Sequence, residues 1–274
     1  MGRHFREERI CEKSGFPNEI SGQKITFPEK MEESVLHFIK ISDMASLSYS
    51  DIAGMIDHSL LSPQLTDREL EQGIALARRY QVASVCILPY ALPMCVEQLA
   101  GSGVRSSTTI GFPHGGQAMS LKVAETEQAI TAGCQELDAV VNISLVRSER
   151  WDLVTRELQA IIERAHAAAC QVKIIFENCF LDRTQKIRLC EICGELRADW
   201  VKTSTGYGSG GATRDDVQLM RQHSPEFVQV KAAGGIRDLP TLLQMRSAGA
   251  TRIGASQTAR ILDEFCRENR LSLR

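Results

Sequence analysis

From Met44 onward, short β-branched runs alternate with amphipathic helical stretches, and this alternation leaves few folds open. The runs centre on residues 55–58, 84–88, 107–111, 137–142, 172–178, 200–204, 227–232 and 252–255. Helical patterns fall between them at 67–80, 121–132, 151–169, 183–196, 214–221 and 239–248. Several open on cap signals: Thr66 precedes Asp67 and Glu69, and Thr213 precedes Asp215 and Asp216. Others close near glycine, as at Gly133, Gly194 and Gly249. About eight strands with intervening helices over roughly 230 residues fit a closed (β/α)8 TIM barrel. An open doubly wound sheet has the same alternation, but the first strand lacks the Gly-x-Gly-x-x-Gly turn of a dinucleotide fold.

The first 43 residues differ in character. They are polar, charged and weakly periodic, and Pro17 and Pro28 interrupt them. The expectation is a poorly ordered N-terminal extension over 1–43, with at most a short helix around 30–41, ahead of a barrel over 44–274. Met44 can serve as a functional start. A formal net charge of −2 gives no footprint for nucleic acid, and no apolar run reaches the length of a membrane span. The charged N-terminus lacks an apolar h-region, so a cytoplasmic location is expected. Nine cysteines scattered through strand- and helix-like segments read as reduced, mostly buried thiols.

Two lysines break the apolar pattern. Lys202 lies in Trp-Val-Lys-Thr-Ser-Thr-Gly and Lys231 in Val-Gln-Val-Lys-Ala-Ala-Gly-Gly-Ile-Arg, each near the end of a strand-like run. Burial lowers a lysine pKa, and a second ammonium nearby lowers it further. A neutral amine of this kind can attack a carbonyl and form a Schiff base. Strand alternation places Trp200, Lys202 and Ser204 on one face, and Lys231 opposite the outward Val228, Val230 and Ala232. The same parity turns Asp138, Val140 and Asn142 inward on the fourth strand and Lys173, Ile175 and Glu177 inward on the fifth. Asp57 and Ser59 share a face of the first strand; Ser84, Cys86 and Leu88 share one of the second. Barrel interiors are usually filled by Val, Ile and Leu. Three lysines and three carboxylates in that space point to an active site.

Glycine supplies the second signal. Residues 206–211 follow the sixth strand, Gly234-Gly235-Ile236-Arg237 the seventh, and Gly254-Ala255-Ser256 closes the eighth. Phosphate sites in such barrels use the loops after strands seven and eight, where glycines let backbone N–H groups approach an anion. Gly206, Gly234, Gly235, Gly254 and Ser256 are therefore candidate phosphate contacts. Arg237 either joins them or sits on a solvated helix start.

Seven motifs in order carry a family likeness: Asp57-His-Ser-Leu-Leu, Val85-Cys-Ile-Leu-Pro, Ile110-Gly-Phe-Pro-His-Gly, Glu136-Leu-Asp-Ala-Val-Val-Asn, Val172-Lys-Ile-Ile-Phe-Glu, Val201-Lys-Thr-Ser-Thr-Gly and Val230-Lys-Ala-Ala-Gly-Gly-Ile-Arg. Over about 52–256 the chain resembles the deoxyribose-phosphate aldolase family. The resemblance implies a class I aldolase without metal or other cofactor, reversibly cleaving 2-deoxy-D-ribose 5-phosphate to acetaldehyde and D-glyceraldehyde 3-phosphate. It implies Lys202 as the Schiff-base lysine, Lys231 as the neighbour that lowers its pKa, and Asp138 as proton donor and acceptor working through a water. Asp57, Glu177 and Lys173 are the expected supporting groups, with Asp57 and Glu177 holding the lysines and water. The expected partner is a small phosphosugar, in a homo-oligomer, with no nucleic acid or membrane. Asn178, Ser59 and Tyr207 depart from the family pattern without removing a catalytic group. A Schiff-base aldolase for another phosphosugar and a non-catalytic phosphosugar-binding barrel are the rival readings.

Other features read as structural. Cys190 and Cys193 have metal-ligand spacing but lie mid-helix without a second pair. His58 and His114 lack a third ligand at suitable spacing and read as hydrogen-bonded histidines. Cys86 reads as packing. Lys122 with Glu125 reads as a solvated helical pair, and Lys186 as surface.

Overall fold

The computed structural model describes residues 47–272 and the backbone of 19–20 and 23–24. The chain divides into two units, Met1–Leu47 and Ser48–Arg274. In the first, Glu19–Ile20 pairs antiparallel with Gln23–Lys24. The helix expected around 30–41 lies outside the described residues.

The second unit is a parallel barrel. Its strands are β1 (Ile56–Leu60), β2 (Ser84–Ile87), β3 (Arg105–Ile110), β4 (Glu136–Val140), β5 (Gln171–Ile175), β6 (Trp200–Lys202), β7 (Gln229–Ala233) and β8 (Arg252–Ala255). Each pairs with the next, and β8 pairs with β1 to close the ring. The helices are α1 (Tyr49–Ala53), α2 (Asp67–Tyr80), α3 (Leu92–Leu99), α4 (Met119–Thr131), α5 (Ile143–Arg147), α6 (Trp151–Ala167), α7 (Arg183–Glu195), α8 (Arg214–His223), α9 (Leu239–Ser247) and α10 (Thr258–Glu268). The alternation read from the sequence is thus a (β/α)8 barrel.

Local chemistry explains the boundaries. Thr66 and Glu69 form a reciprocal capping box that starts α2, and Leu70, Ile74, Ala77 and Tyr80 bury its inner face. Asp182 and Gln185 do the same for α7. The fourth and fifth strands stop earlier than their apolar runs suggest, because Asn142 caps α5 by accepting from Leu145 N at 3.2 Å and Glu177 adopts a left-handed backbone. Asn142 is therefore a helix cap rather than an inward strand residue. Cys190 and Cys193 are both buried on α7, where burial pushes the Cys190 thiol up to about 12.

Lys122 corrects the sequence reading most sharply. It is fully buried, donating to Glu157 at 2.6 Å and to the carbonyl of Val140 at 2.9 Å. Room for it comes from Gly111, where a Cβ would sit 2.7 Å from Lys122 Cε. Glu125, its expected partner, instead accepts from Gly111 N at 2.6 Å. Lys122 thereby fastens the end of β4 to α4 and α6. Lys186 is also no free surface residue, since it pairs with Asp216 at 2.7 Å between α7 and α8.

Removing one partner of a buried pair strands the other charge. Lys122→Met is expected to lower stability in urea unfolding by about 3–5 kcal/mol, and adding Glu157→Leu to restore most of it. A single variant as stable as the parent would contradict this.

Candidate active site

Register places the two marked lysines side by side. Lys202 on β6 pairs with Lys231 on β7, Lys231 with Arg252 on β8, and Asp138 on β4 with Lys173 on β5. All of these side chains reach into the barrel, as alternation predicted for Lys202, Lys231, Asp138 and Lys173. Asp138 is the hub. Its Oδ2 accepts from Lys202 Nζ at 2.7 Å and from Lys231 Nζ at 2.7 Å, while Oδ1 accepts from Lys173 Nζ at 2.9 Å. Below it, Asp57 meets Lys231 at 2.5 Å, Arg252 at 2.6 Å and the Ser84 hydroxyl at 2.6 Å. Glu136 meets Lys173 at 2.6 Å and Arg252 at 3.1 Å. The indole of Trp200 lies against the cations of Arg252 and Lys173, 4.8 and 5.7 Å from its centroid.

Among the described residues, the buried part of this network sets four cations, Lys173, Lys202, Lys231 and Arg252, against three carboxylates, Asp57, Glu136 and Asp138, while the half-exposed Arg105 reaches Glu136 from the barrel rim at 3.3 Å. All seven are buried. An excess charge in such a space is costly, so one cation is under pressure to lose its proton. Burial lowers the pKa of Lys202; Asp138 opposes this, and the charge of Lys231 adds to the lowering, leaving it below the usual lysine range. Burial also works against Lys231, but Asp138 and Asp57 outweigh it and hold that amine above the usual range. Lys173 is held higher still by Asp138, Glu136 and Asp57, against the cost of burial. The desolvation that would neutralise Asp138 is overcome by Lys173, Lys202 and Lys231, so its carboxyl stays ionised. The result is one lysine lowered in pKa beside two held above the usual range and an ionised carboxylate, a set whose chemistry suits amine catalysis.

The glycine segments cluster at the C-terminal end of the barrel. Gly206, Gly234 and Gly235 all have positive φ, and the Cβ positions at Gly206 and Gly235 face open space. The loops after β6 and β7 touch: Ala212 N donates to Gly234 O at 3.0 Å, and a Cβ at Gly211 would lie 2.3 Å from that oxygen. Ser256 is exposed just before α10, whose N-terminus has no side-chain cap and offers free N–H groups to an anion. His58 ties this helix to β1 through a 2.8 Å hydrogen bond to the Thr258 hydroxyl, and burial lowers its pKa to about 4. Gly254 sits in β8 beside Lys231, its Cβ position 3.5 Å from Lys231 Cε. Arg237 is exposed.

Glu177 departs from its expected place. A φ of 57° turns it off the strand alternation, and its carboxylate accepts from the backbone N and hydroxyl of Thr205. It therefore braces the loop after β6, while Asp57 alone of that pair holds a lysine. Glu136 and Arg252 are the charged residues missed from sequence. Glu136 has the same parity as Asp138 two residues on, which was the available signal; Arg252 sits at the first position of its strand, where alternation has no preceding register. Cys86 is buried in this interior, where burial and then the charge of Asp138 push its thiol up to about 11, in keeping with a packing role. His114 is exposed. A cavity of about 850 Å³ opens at the opposite end of the barrel, bordered by Arg105, Gln171 and Trp200. That end of a TIM barrel ordinarily serves stability.

Comparison with known proteins agrees with this architecture. A family model described as DeoC/LacD family aldolase matches residues 52–260. A deoxyribose-phosphate aldolase of Rhodopirellula baltica is 62% identical over 221 residues, covering 81% of this chain and 92% of the relative. One from Clostridium tetani is 42% identical over 214 residues, covering 78% of this chain and 99% of the relative. A solved deoxyribose phosphate aldolase from Aeropyrum pernix, described as having a unique tetrameric structure, superposes with a TM-score of 0.76 at 30% identity, covering 83% of this chain and 96% of that one. With a family model matched over residues 52–260, a matching barrel and relatives of this identity, the chain belongs to the DeoC/LacD aldolase family.

Proposed function

We propose that this chain reversibly cleaves 2-deoxy-D-ribose 5-phosphate to acetaldehyde and D-glyceraldehyde 3-phosphate through a Schiff base on Lys202. The observation that carries the reading is the buried Lys202 amine, sharing Asp138 Oδ2 with Lys231 at 2.7 Å each. The names of the Rhodopirellula baltica and Clostridium tetani relatives support the substrate.

The chemistry follows from the charges. The neutral Lys202 amine adds to the C1 aldehyde. The carbinolamine takes up one proton from solvent and loses water to give an iminium, which can draw electrons from the adjacent carbon; the final hydrolysis returns that proton. Asp138, held ionised by Lys173 and Lys231, takes the C3 hydroxyl proton through a water. As C3 becomes the aldehyde of glyceraldehyde 3-phosphate, the C2–C3 electron pair moves into the iminium and forms an enamine. The proton now on Asp138 returns to C2, and hydrolysis releases acetaldehyde and restores the amine. Lys231 stays charged throughout and, after burial, adds to the lowering of the Lys202 pKa. Asp57, Lys173, Glu136 and Arg252 fix this arrangement from below.

The phosphate belongs at the opposite end of the substrate, over Gly206, Gly234, Gly235, Gly254 and Ser256 and the N-terminus of α10. Arg237, exposed beside that loop, would add charge to it. This reading assigns the chain to cytoplasmic deoxynucleoside breakdown, acting as a homo-oligomer, with residues 1–43 as an N-terminal extension and 44–274 as the aldolase domain.

Purified chain assayed against deoxyribose 5-phosphate, fructose 1,6-bisphosphate and other sugar phosphates, with and without EDTA, tests this directly. Acetaldehyde and glyceraldehyde 3-phosphate should form from the first substrate at an unchanged rate in EDTA. Faster cleavage of a hexose or ketose phosphate would redirect the assignment, and no cleavage of any would leave a binding barrel.

The pH–rate profile tests the division of labour. Protonation of Lys202 stops attack, so activity should fall as pH drops through its pKa. Lys231→Leu leaves three cations facing three carboxylates, so Lys202 should keep its proton and the acid limb move up by about one pH unit or more. Lys231→Arg, which keeps the charge, should hold the limb near its original position. An unmoved limb in Lys231→Leu would refute the role given to Lys231.

A further inference from the structure

Tyr207 follows Gly206 in the loop after β6 and makes a contact far from its own segment. Its hydroxyl donates to the carbonyl of Leu61 at 2.7 Å, across 146 positions of chain. Its ring meets Phe112 edge-on, with centroids 5.5 Å apart and planes at 88°. Phe112 belongs to the loop after β3, and Leu61 to the loop after β1. One side chain thus joins loops from three well-separated strands of the ring.

The base of this side chain is also held. Tyr207 N donates to the Thr205 hydroxyl oxygen at 3.0 Å, and that hydroxyl donates to the buried Glu177 carboxylate. Gly206, with φ of 91°, makes the turn between the two residues. Half the Tyr207 surface stays exposed, so the ring lies at the mouth rather than in the core. Leu61 is four residues beyond Asp57, so the Tyr207 hydroxyl meets the chain about 10–13 Å along β1 from the Asp57 backbone, on the C-terminal side of the barrel where the glycine loops lie.

We propose that Tyr207 is a specificity-determining strap across the barrel mouth, which fixes the loop of Gly206 for a phosphorylated substrate and walls the channel on the side of Leu61 and Phe112. This rests on the assignment of a phosphosugar aldolase and goes beyond it, since none of the mechanism's steps uses Tyr207. The hydroxyl has a separate job from the ring. The hydroxyl ties the phosphate loop to β1, while the ring fills the mouth between the loops.

Tyr207→Phe removes the tie and keeps the ring. It should raise KM for deoxyribose 5-phosphate roughly three- to tenfold, the scale of one net hydrogen bond, with kcat within about twofold. Its kcat/KM for unphosphorylated 2-deoxyribose should stay within about twofold, because that substrate makes no use of the phosphate loop. Tyr207→Ala opens the wall as well, and should lower the ratio of phosphorylated to unphosphorylated kcat/KM further than Tyr207→Phe does. A residue that merely stabilises the fold would shift the urea midpoint and depress both substrates alike. Equal losses on both substrates, or an unchanged ratio in both variants, would overturn the strap. A parent chain that cleaves neither sugar would instead overturn the aldolase assignment and take the strap with it.

Discussion

Asp138 is the interaction on which the rest depends: one buried carboxylate taking hydrogen bonds from three lysine amines. A closed barrel gives these charges little access to water, so they must balance against one another. Among the described buried groups, with Arg252 included, the cations exceed the carboxylates by one, and of the three lysines Lys202 alone has its pKa lowered, while Lys173 and Lys231 are held above the usual range. Position explains the choice. Lys173 and Lys231 each contact Asp57 as well as Asp138, whereas Lys202 has ion-pair contact with Asp138 alone among the described residues. The least-compensated ammonium is the one whose pKa is lowered.

The surrounding structure keeps that balance from relaxing. Lys122 pins the end of β4, the strand that carries Asp138, through the Val140 carbonyl and Glu157. Glu177 braces Thr205 three residues after Lys202, and the glycine loops after β6 and β7 interlock through Ala212 and Gly234. His58 ties the N-terminus of α10 to β1, next to the Asp57 position. Buried polar groups outside the charged interior thus serve mainly to place loops. In the proposed reading, reactivity and substrate holding are divided along the barrel axis, with charges in the interior and glycine-rich backbone at the mouth.

Much of this was legible in the sequence, for identifiable reasons. Strand alternation is strict wherever backbone stays extended, so Lys202, Lys231, Asp138, Lys173 and Asp57 could be turned inward before any coordinates. Helix α2 was readable to its ends because Thr66 and Glu69 mark its start and Leu70, Ile74 and Ala77 its buried face. The misreadings have equally local causes. Glu177 was assigned by alternation, but its left-handed φ rotates it away from the lysines and onto Thr205. Lys122 has Glu125 one turn along the same helix, which imitates a surface pair. Its true partner lies 35 residues away, in a hole that exists only because position 111 is glycine. Arg252 was overlooked because its partners, Asp57 and Glu136, come from strands more than a hundred residues distant.

The central claim is that Lys202 alone among the buried lysines is available to a carbonyl. Borohydride reduction in the presence of acetaldehyde, followed by peptide mapping, tests it without depending on the choice of sugar. The account predicts a single two-carbon adduct on Lys202, with Lys173 and Lys231 unmodified. An adduct on Lys231, or none on any buried lysine, would contradict it.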